Sequence, residues 1–301
     1  MKAARRLTTP TYDACSEAAS ARRTWRVTRA VWCAATWIVV GAPSVTAAQR
    51  VALEVRPRVG DTLRVSLEHA MTLTGPRIGA DSAVVFSTTY KVLTRDIVER
   101  ADAKGTTILA IVDSVIVATS NAAGPNPLPG VDQRMQRARL RLVVMPDGSS
   151  RVIEGLNQLD ASLQGVLGEM PAVLPANPVA VGESWVKELA LPAIGSAAST
   201  STSGKLVATF RLDSLTENGN RAWIGVQGRV EPAQPGNTTP GAGQLSGTLS
   251  GTMQLDRRRA WVVEWRALVN LESTLGVSTA AAPLVVKVRF QHTMRTAPAR
   301  R

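Results

Sequence analysis

Two histidines, His69 and His292, and two cysteines, Cys15 and Cys33, are all that 301 residues supply of the softer metal ligands. That scarcity excludes a zinc centre built from three or four convergent nitrogen or sulfur ligands. The net charge of +12 favours encounters with anionic lipid or polysaccharide without specifying one.

The first segment with a readable role runs from Arg22 to Gln49. Arg22, Arg23, Arg26 and Arg29 precede the apolar run Ala30-Val-Trp-Cys-Ala-Ala-Thr-Trp-Ile-Val-Val40, and Gly41-Ala-Pro-Ser-Val-Thr-Ala-Ala48 follows with a turn and small residues. A basic region, an apolar region and a small-residue cleavage site in this order predict a signal peptide over residues 1–48, cut after Ala47 or Ala48. Residues 1–21 make it longer than usual, as an early start codon would. The pair Arg22-Arg23 with Trp25 two places on loosely matches a twin-arginine signal. Pro43, Ser44 and Thr46 interrupt the apolar run, which is shorter than the roughly 20 residues of a membrane span. Cys33 lacks the small-residue box of a lipoprotein, and both cysteines leave with the leader, so neither a disulfide nor a nucleophilic cysteine is expected. Cleavage removes seven basic and two acidic residues and leaves a charge of +7. The predicted location is the periplasm or beyond, where no nucleic-acid partner is expected.

Beyond Val51 apolar residues recur at every second position, the pattern of strands with one buried face. Leu63, Val65 and Leu67 alternate with Arg64, Ser66 and Glu68. Further strands are predicted over residues 84–93, 106–119, 140–144 and 151–153, the last two joined by the turn Pro146-Asp147-Gly148-Ser149. At the start of the 140–144 strand Arg137, Arg139 and Arg141 alternate with apolar residues, which predicts three guanidinium groups on one strand face, suited to an anionic headgroup or to solvent. Leu156, Leu159, Leu163, Val166, Leu167 and Met170 recur at helical spacing, so residues 157–169 read as a short amphipathic helix, stopped by Pro171, Pro175 and Pro178. Leu163 would present its side chain from that helix to a sheet face or a ligand.

The second half repeats the β pattern. Residues 205–213 and 221–230 flank Glu217-Asn218-Gly219-Asn220, whose Asn-Gly pair predicts a type I′ hairpin. Residues 247–255 and 260–274 flank Asp256-Arg-Arg-Arg259. With the turn at Arg257-Arg258, Gly251 would face Glu264 and Gly247 would face Leu268, freeing one face for close approach. Trp261, Val263, Trp265, Ala267, Val269 and Leu271 would form a core surface, on which Trp261 and Trp265 could stack a ligand. Residues 284–294 close the series, and 296–301 read as a tail outside the fold.

The expected architecture is mainly β: a curved antiparallel sheet, half-barrel or sandwich of about ten strands with one short helix. It forms a single domain over residues 49–295. Val59-Gly60-Asp61-Thr62 is echoed by Val181-Gly182-Glu183-Ser184, as two similar halves meeting near 171–180 would produce. No catalytic residue, metal site or cofactor is predicted. Gly182-Glu183-Ser184 lacks the second glycine of a nucleophile elbow, and Gly241 to Gly251 matches no phosphate loop.

The run Leu174-Pro-Ala-Asn-Pro-Val-Ala-Val-Gly-Glu-Ser-Trp185, with the later Met253-Gln-Leu-Asp256, resembles a family of uncharacterised exported proteins of Gram-negative-type bacteria. That family shows a proline-led Val-Gly-acid-Ser-Trp turn in mid-chain; its usual glycine in the last turn is replaced here by Ala260. More loosely, many strands with one short helix are similar to the half-barrels of periplasmic lipoprotein carriers, which implies a greasy cavity and a lipid or amphiphile partner. Residues 110–117 and 284–290 carry apolar residues on both faces, as a ligand-filled sheet would need. Two other functions fit the sequence: a structural or protein-interaction module of the envelope with a filled core, and a glycan hydrolase using paired carboxylates.

Overall fold

A computed structural model describes residues 49–76, 83–102, 105–121, 124–125, 135–159, 164, 169–189, 204–232, 244–275 and 284–298. All of these belong to one compact unit, residues 47–301, and the leader expected over 1–48 lies outside the described residues. The first half contains β1 (Thr62–Pro76), β2 (Ala83–Asp102), β3 (Gly105–Asn121), β4 (Gly124–Pro125), β5 (Arg139–Val144), β6 (Ser150–Glu154) and β7 (Glu169–Met170). The second contains β8 (Ser184–Leu189), β9 (Gly204–Thr216), β10 (Arg221–Pro232), β11 (Gln244–Asp256), β12 (Trp261–Leu275) and β13 (Leu284–Pro298).

These strands form one curved, unclosed antiparallel sheet in the order β7-β6-β5-β3-β2-β1-β13-β12-β11-β10-β9-β8, with β4 beside β3. Both arms are meanders, and they join where β1 pairs β13. Strict alternation assigns Leu63, Val65, Leu67, His69, Met71 and Leu73 of β1 to the concave face, opposite Val288, Phe290, His292 and Met294 of β13. The outward positions carry Arg, Lys, Glu, Ser and Thr, so one face is greasy and the other wet.

Among the described residues bulges shift that alternation at five places, two of them on β3 and β12. On β3, Leu93 pairs Ser114 whereas Thr94 pairs Val112, leaving Asp113 unmatched and directed outward to Arg95 (3.2 Å). Ala110 and Val112 before it, and Val115 and Val117 after it, are therefore all buried, while Ile116 is 55% exposed. The apolar residues on both faces of 110–117 thus reflect a change of phase within one strand. On β12, Gln254 pairs Glu264 and Leu255 pairs Val262. Val263 is the extra residue, and Val262 takes its place beside the core cluster.

The β11–β12 register also corrects the expectation. Gly251 faces Ala267 and Gly247 faces Leu271, because the connection spans Arg257 to Ala260, with Ala260 at φ 50, and the extra residue Val263 adds one more step. Both glycines lie on the concave side among Leu245, Leu249 and Met253. A Cβ on Gly251 would stand 2.3 Å from Arg266 O, and one on Gly247 2.5 Å from Asn270 O. What approaches closely is the neighbouring strand itself: the missing side chains let the sheet curl inward here.

That curl brings β9 against β12 through Phe210, which stacks between Trp185 (centroids 5.8 Å) and Trp265 (6.4 Å). Trp185 Nε1 donates to Val173 O at 2.8 Å. The arm made by β8 to β11 is thus filled, with Phe210, Leu212, Ala222 and Leu255 fully buried.

One end of the half-barrel is closed by extended segments. Residues 49–61 bury Val51, Leu53 and Val55 at alternate positions. This strap is tied by a Val51–Val179 bridge, by Val55 N–H to Pro146 O (2.9 Å) and by Arg56 N–H to Ala260 O (2.8 Å). This strap and the segment 171–183 then enter β1 and β8 through the same turn. Gly60 (φ 87) donates to Val98 O, Val98 to Asp61 O, Asp61 N–H to Arg58 O, and Arg58 N–H to Asp61 Oδ2. Gly182 (φ 90) donates to Leu212 O, Leu212 to Glu183 O, Glu183 N–H to Ala180 O, and Ala180 N–H to Glu183 Oε2. The sequence echo is therefore an echo of four hydrogen bonds.

Three local expectations differ. The predicted helix has a 3₁₀ turn at Leu156–Gln158 at its start and β7 at its end; Gln164 is helical, while 160–163 and 165–168, Leu163 among them, lie outside the described residues. The Glu217–Asn220 connection is a four-residue turn with positive φ at Glu217, Asn218 and Gly219, so the Asn-Gly pair does not form a two-residue hairpin. Strand β13 continues to Pro298, which pairs Leu63; the predicted tail therefore begins later than residue 296.

Candidate functional site

The opposite arm is hollow. Between the concave wall of β1, β2, β3 and β5 and the inner residues of β12 and β13 lies a cavity of about 340 Å³, which Leu189 of β8 and Met253 of β11 border from the filled arm. Its apolar wall includes Leu67, Val92, Val112, Leu140, Leu142 and Met294, with Val55 of the strap closing one end and Val173 beside it. Apolar side chains are placed there by period-2 alternation on the strands that surround it, the bulges at Asp113 and Val263 keeping Val112 and Val262 pointed the right way.

A few polar groups interrupt this wall: Thr94, Asp96, Ser150, His292 and the indole of Trp261. Asp96 is 7% exposed, and Thr94 Oγ1 donates to its Oδ1 at 2.7 Å. Burial pushes the carboxyl up to about 6, against the smaller downward pull of the Thr94 hydrogen bond. His292 pairs in register with His69, the rings 6.0 Å apart and edge to face. Burial, then the neighbouring His69, hold His292 down at about 4, and burial lowers His69 as well. His292 Nε2, His69 Nδ1, Trp261 Nε1 and Thr296 Oγ1 are buried without a hydrogen-bond partner among the described residues. Buried polar atoms are normally paired, and two of these four, on His292 and Trp261, belong to the cavity wall.

Of the residues singled out in the sequence, Trp261 and Trp265 both line the cavity. Trp265 has Phe210 on one side and is part of the boundary between the filled arm and the hollow one. Leu163 lies outside the described residues. The three arginines do not share a strand face. Arg137 precedes β5 in a turn, at φ 72, with its N–H donating to Val112 O (2.9 Å). Arg139 and Arg141 are on β5, and Arg141 is held between Glu99 (2.9 Å) and Glu154 on the outer surface. Its charge is already paired. The sequence marks His292 only as one of two histidines, too few for a zinc site, while Asp96 breaks an apolar alternation between Thr94 and Val98 and is not among its candidates. The meeting of His69 with His292, 223 positions apart in sequence, had no signal there.

No group of three or more metal-ligating side chains occurs among the described residues. Asp96 is the one carboxylate among the described residues of the cavity wall, whereas a glycosidase of the usual kind needs two.

No curated protein matches the chain. Among solved structures it is similar to one concerned with the lipid–protein interactions of lipovitellin, at 11% identity and a TM-score of 0.47 over 81% of this chain. The chain spans about a quarter of that protein, 26%. It also matches DynF from the dynemicin pathway of Micromonospora chersina, at 6% identity and a TM-score of 0.20, over 85% of this chain and 89% of that one. Residues 119–262, from the end of β3 to the start of β12, match the model of a family of unknown function (DUF6263).

Proposed function

We propose that this protein is an exported envelope protein that binds one hydrophobic or amphiphilic molecule inside its curved sheet, without chemistry on it. The observation that carries the reading is the asymmetry of the interior. Nothing prevents a sheet of this length from being filled throughout, and β8 to β11 are filled by the Trp185–Phe210–Trp265 stack. The arm next to it keeps about 340 Å³ of space behind an apolar wall. That volume lies at the small end of ligand pockets, which favours a single chain or ring system over a store of many lipids. The export half of the reading rests on the basic, apolar and small-residue order of residues 22–48.

The filled arm favours a second reading, a structural module in which the cavity is incidental. Filling the cavity separates the two. Val152→Trp on β6 places a large apolar side chain at the cavity wall. Uptake of Nile red, followed by fluorescence, is expected for the wild-type protein and is expected to fall at least about tenfold in the variant while the melting temperature holds or rises. Equal uptake by both, or none by either, contradicts the binding reading and favours the structural module.

A further inference from the structure

We infer that the molecule held in the cavity carries a basic nitrogen and that Asp96 is the group that receives it. The inference rests on the binding reading above and gives the ligand its chemical class: an apolar amine. Asp96 stands on the concave face of β2, between its register partners Leu63 on β1 and Ala110 on β3, both of them buried and apolar. A leucine or valine would serve packing there better, since an unpaired buried carboxylate is costly. Thr94 supplies one neutral hydrogen bond. No lysine or arginine pairs with Asp96 among the described residues, although neighbouring Arg95 and Glu99 are both engaged in ion pairs on the outer face.

The rest of the wall narrows the choice. None of its described residues is lysine or arginine, so a carboxylate or phosphate head inside the cavity would find no counter-charge among them and would face Asp96. A neutral alcohol would gain a hydrogen bond and leave the carboxylate charge uncompensated. An ammonium supplies both a donor and the missing charge, and charge-assisted bonds are the stronger kind. With its carboxyl at about 6, Asp96 is ionised at neutral pH, and His292, at about 4, is neutral and does not compete as the cation. The apolar remainder of the wall takes the hydrocarbon part.

Calorimetric titration of the full chain with decylamine, decanol and decanoate at pH 7.5 tests this. Decylamine is expected to bind about tenfold or more tighter than decanol, and decanoate weakest. In Asp96→Asn the amine and the alcohol should come within about threefold of each other, decanol binding being kept. Decanol binding as tightly as decylamine in the wild-type protein overturns the amine assignment and leaves the cavity reading standing. An amine preference that survives in Asp96→Asn overturns the role of Asp96. Failure of all three probes removes the cavity reading and this inference with it. The ranking in the wild-type protein decides the question even if the variant does not fold.

Discussion

His69 and His292 stand opposite one another on β1 and β13, in register and 6.0 Å apart, six residues along β1 from Leu63, the register partner of Asp96. Their burial sets up a pH dependence in which two groups oppose each other. His292, lowered from 6.5 to about 4, contributes stability that is present above 6.5 and lost as pH falls through about 4. Asp96, raised from 3.8 to about 6, contributes stability that is present below 3.8 and lost as pH rises through about 6. Each shift corresponds to something on the order of 3 kcal/mol. Between pH 4 and 6 the two slopes have opposite signs, so the wild-type protein is expected to show little net dependence from this pair. Asp96→Asn should leave a stability that rises with pH over that window, and His292→Gln one that falls. Urea denaturation at pH 4.5, 5.5 and 6.5 reads the slopes; variants that run parallel to the wild-type protein would contradict the assignment.

The inward curl of β11 on β12 depends on Gly251. Gly251→Ala is expected to cost about 1–3 kcal/mol through overpacking, since the new Cβ would meet Arg266 O at 2.3 Å. Gly60→Ala has open space around it and should cost about 1 kcal/mol, from its positive φ alone. Thermal melts of the two variants give the comparison, and a larger loss at Gly60 would show that curl is not what Gly251 provides.

The closed end is a core in its own right. Leu174 and Leu53 are 0% and 3% exposed, so truncation of either to alanine is expected to cost about 2–5 kcal/mol. Val152, on the cavity wall and only partly buried, should cost clearly less on truncation. Chemical denaturation distinguishes the sites; equal losses would mean that the cavity arm is as tightly packed as the strap.

The arginines of β5 are not expected to dock anions. Arg141→Ala removes a partly exposed residue paired with Glu99 and Glu154 and should leave the melting temperature nearly unchanged, since surface ion pairs contribute little. Sedimentation with anionic vesicles should be unaffected by the change. A marked loss of vesicle binding would return these residues to the functional surface.

Strand after strand was legible because one wet face and one greasy face impose period 2 on the sequence, as at Leu63, Val65 and Leu67. What periodicity could not carry was the phase. Asp113 and Val263 each insert one residue, and each moved later side chains to the opposite face from the one simple alternation gives. The β11–β12 register slipped for a related reason: Arg257 to Ala260 contain no Asn-Gly or Gly-Gly pair to announce the length of the connection. The recurrence of Val-Gly-acid at 59–61 and 181–183 was readable, whereas its meaning was not, since the bonds that define it reach Val98 and Leu212 on other strands. The site was half legible. Trp261 and Trp265 were marked by size, but the pairing of β1 with β13, which joins the chain's first long strand to its last and builds the cavity, leaves no local trace.

Native mass spectrometry of the protein expressed with its own leader in a bacterial host, recovered without detergent, tests the central claim most directly. The account predicts a one-to-one adduct of a small apolar molecule, released on denaturation and lost in Val152→Trp. A bare protein mass, obtained from material that also fails to take up decylamine and decanol, would contradict it.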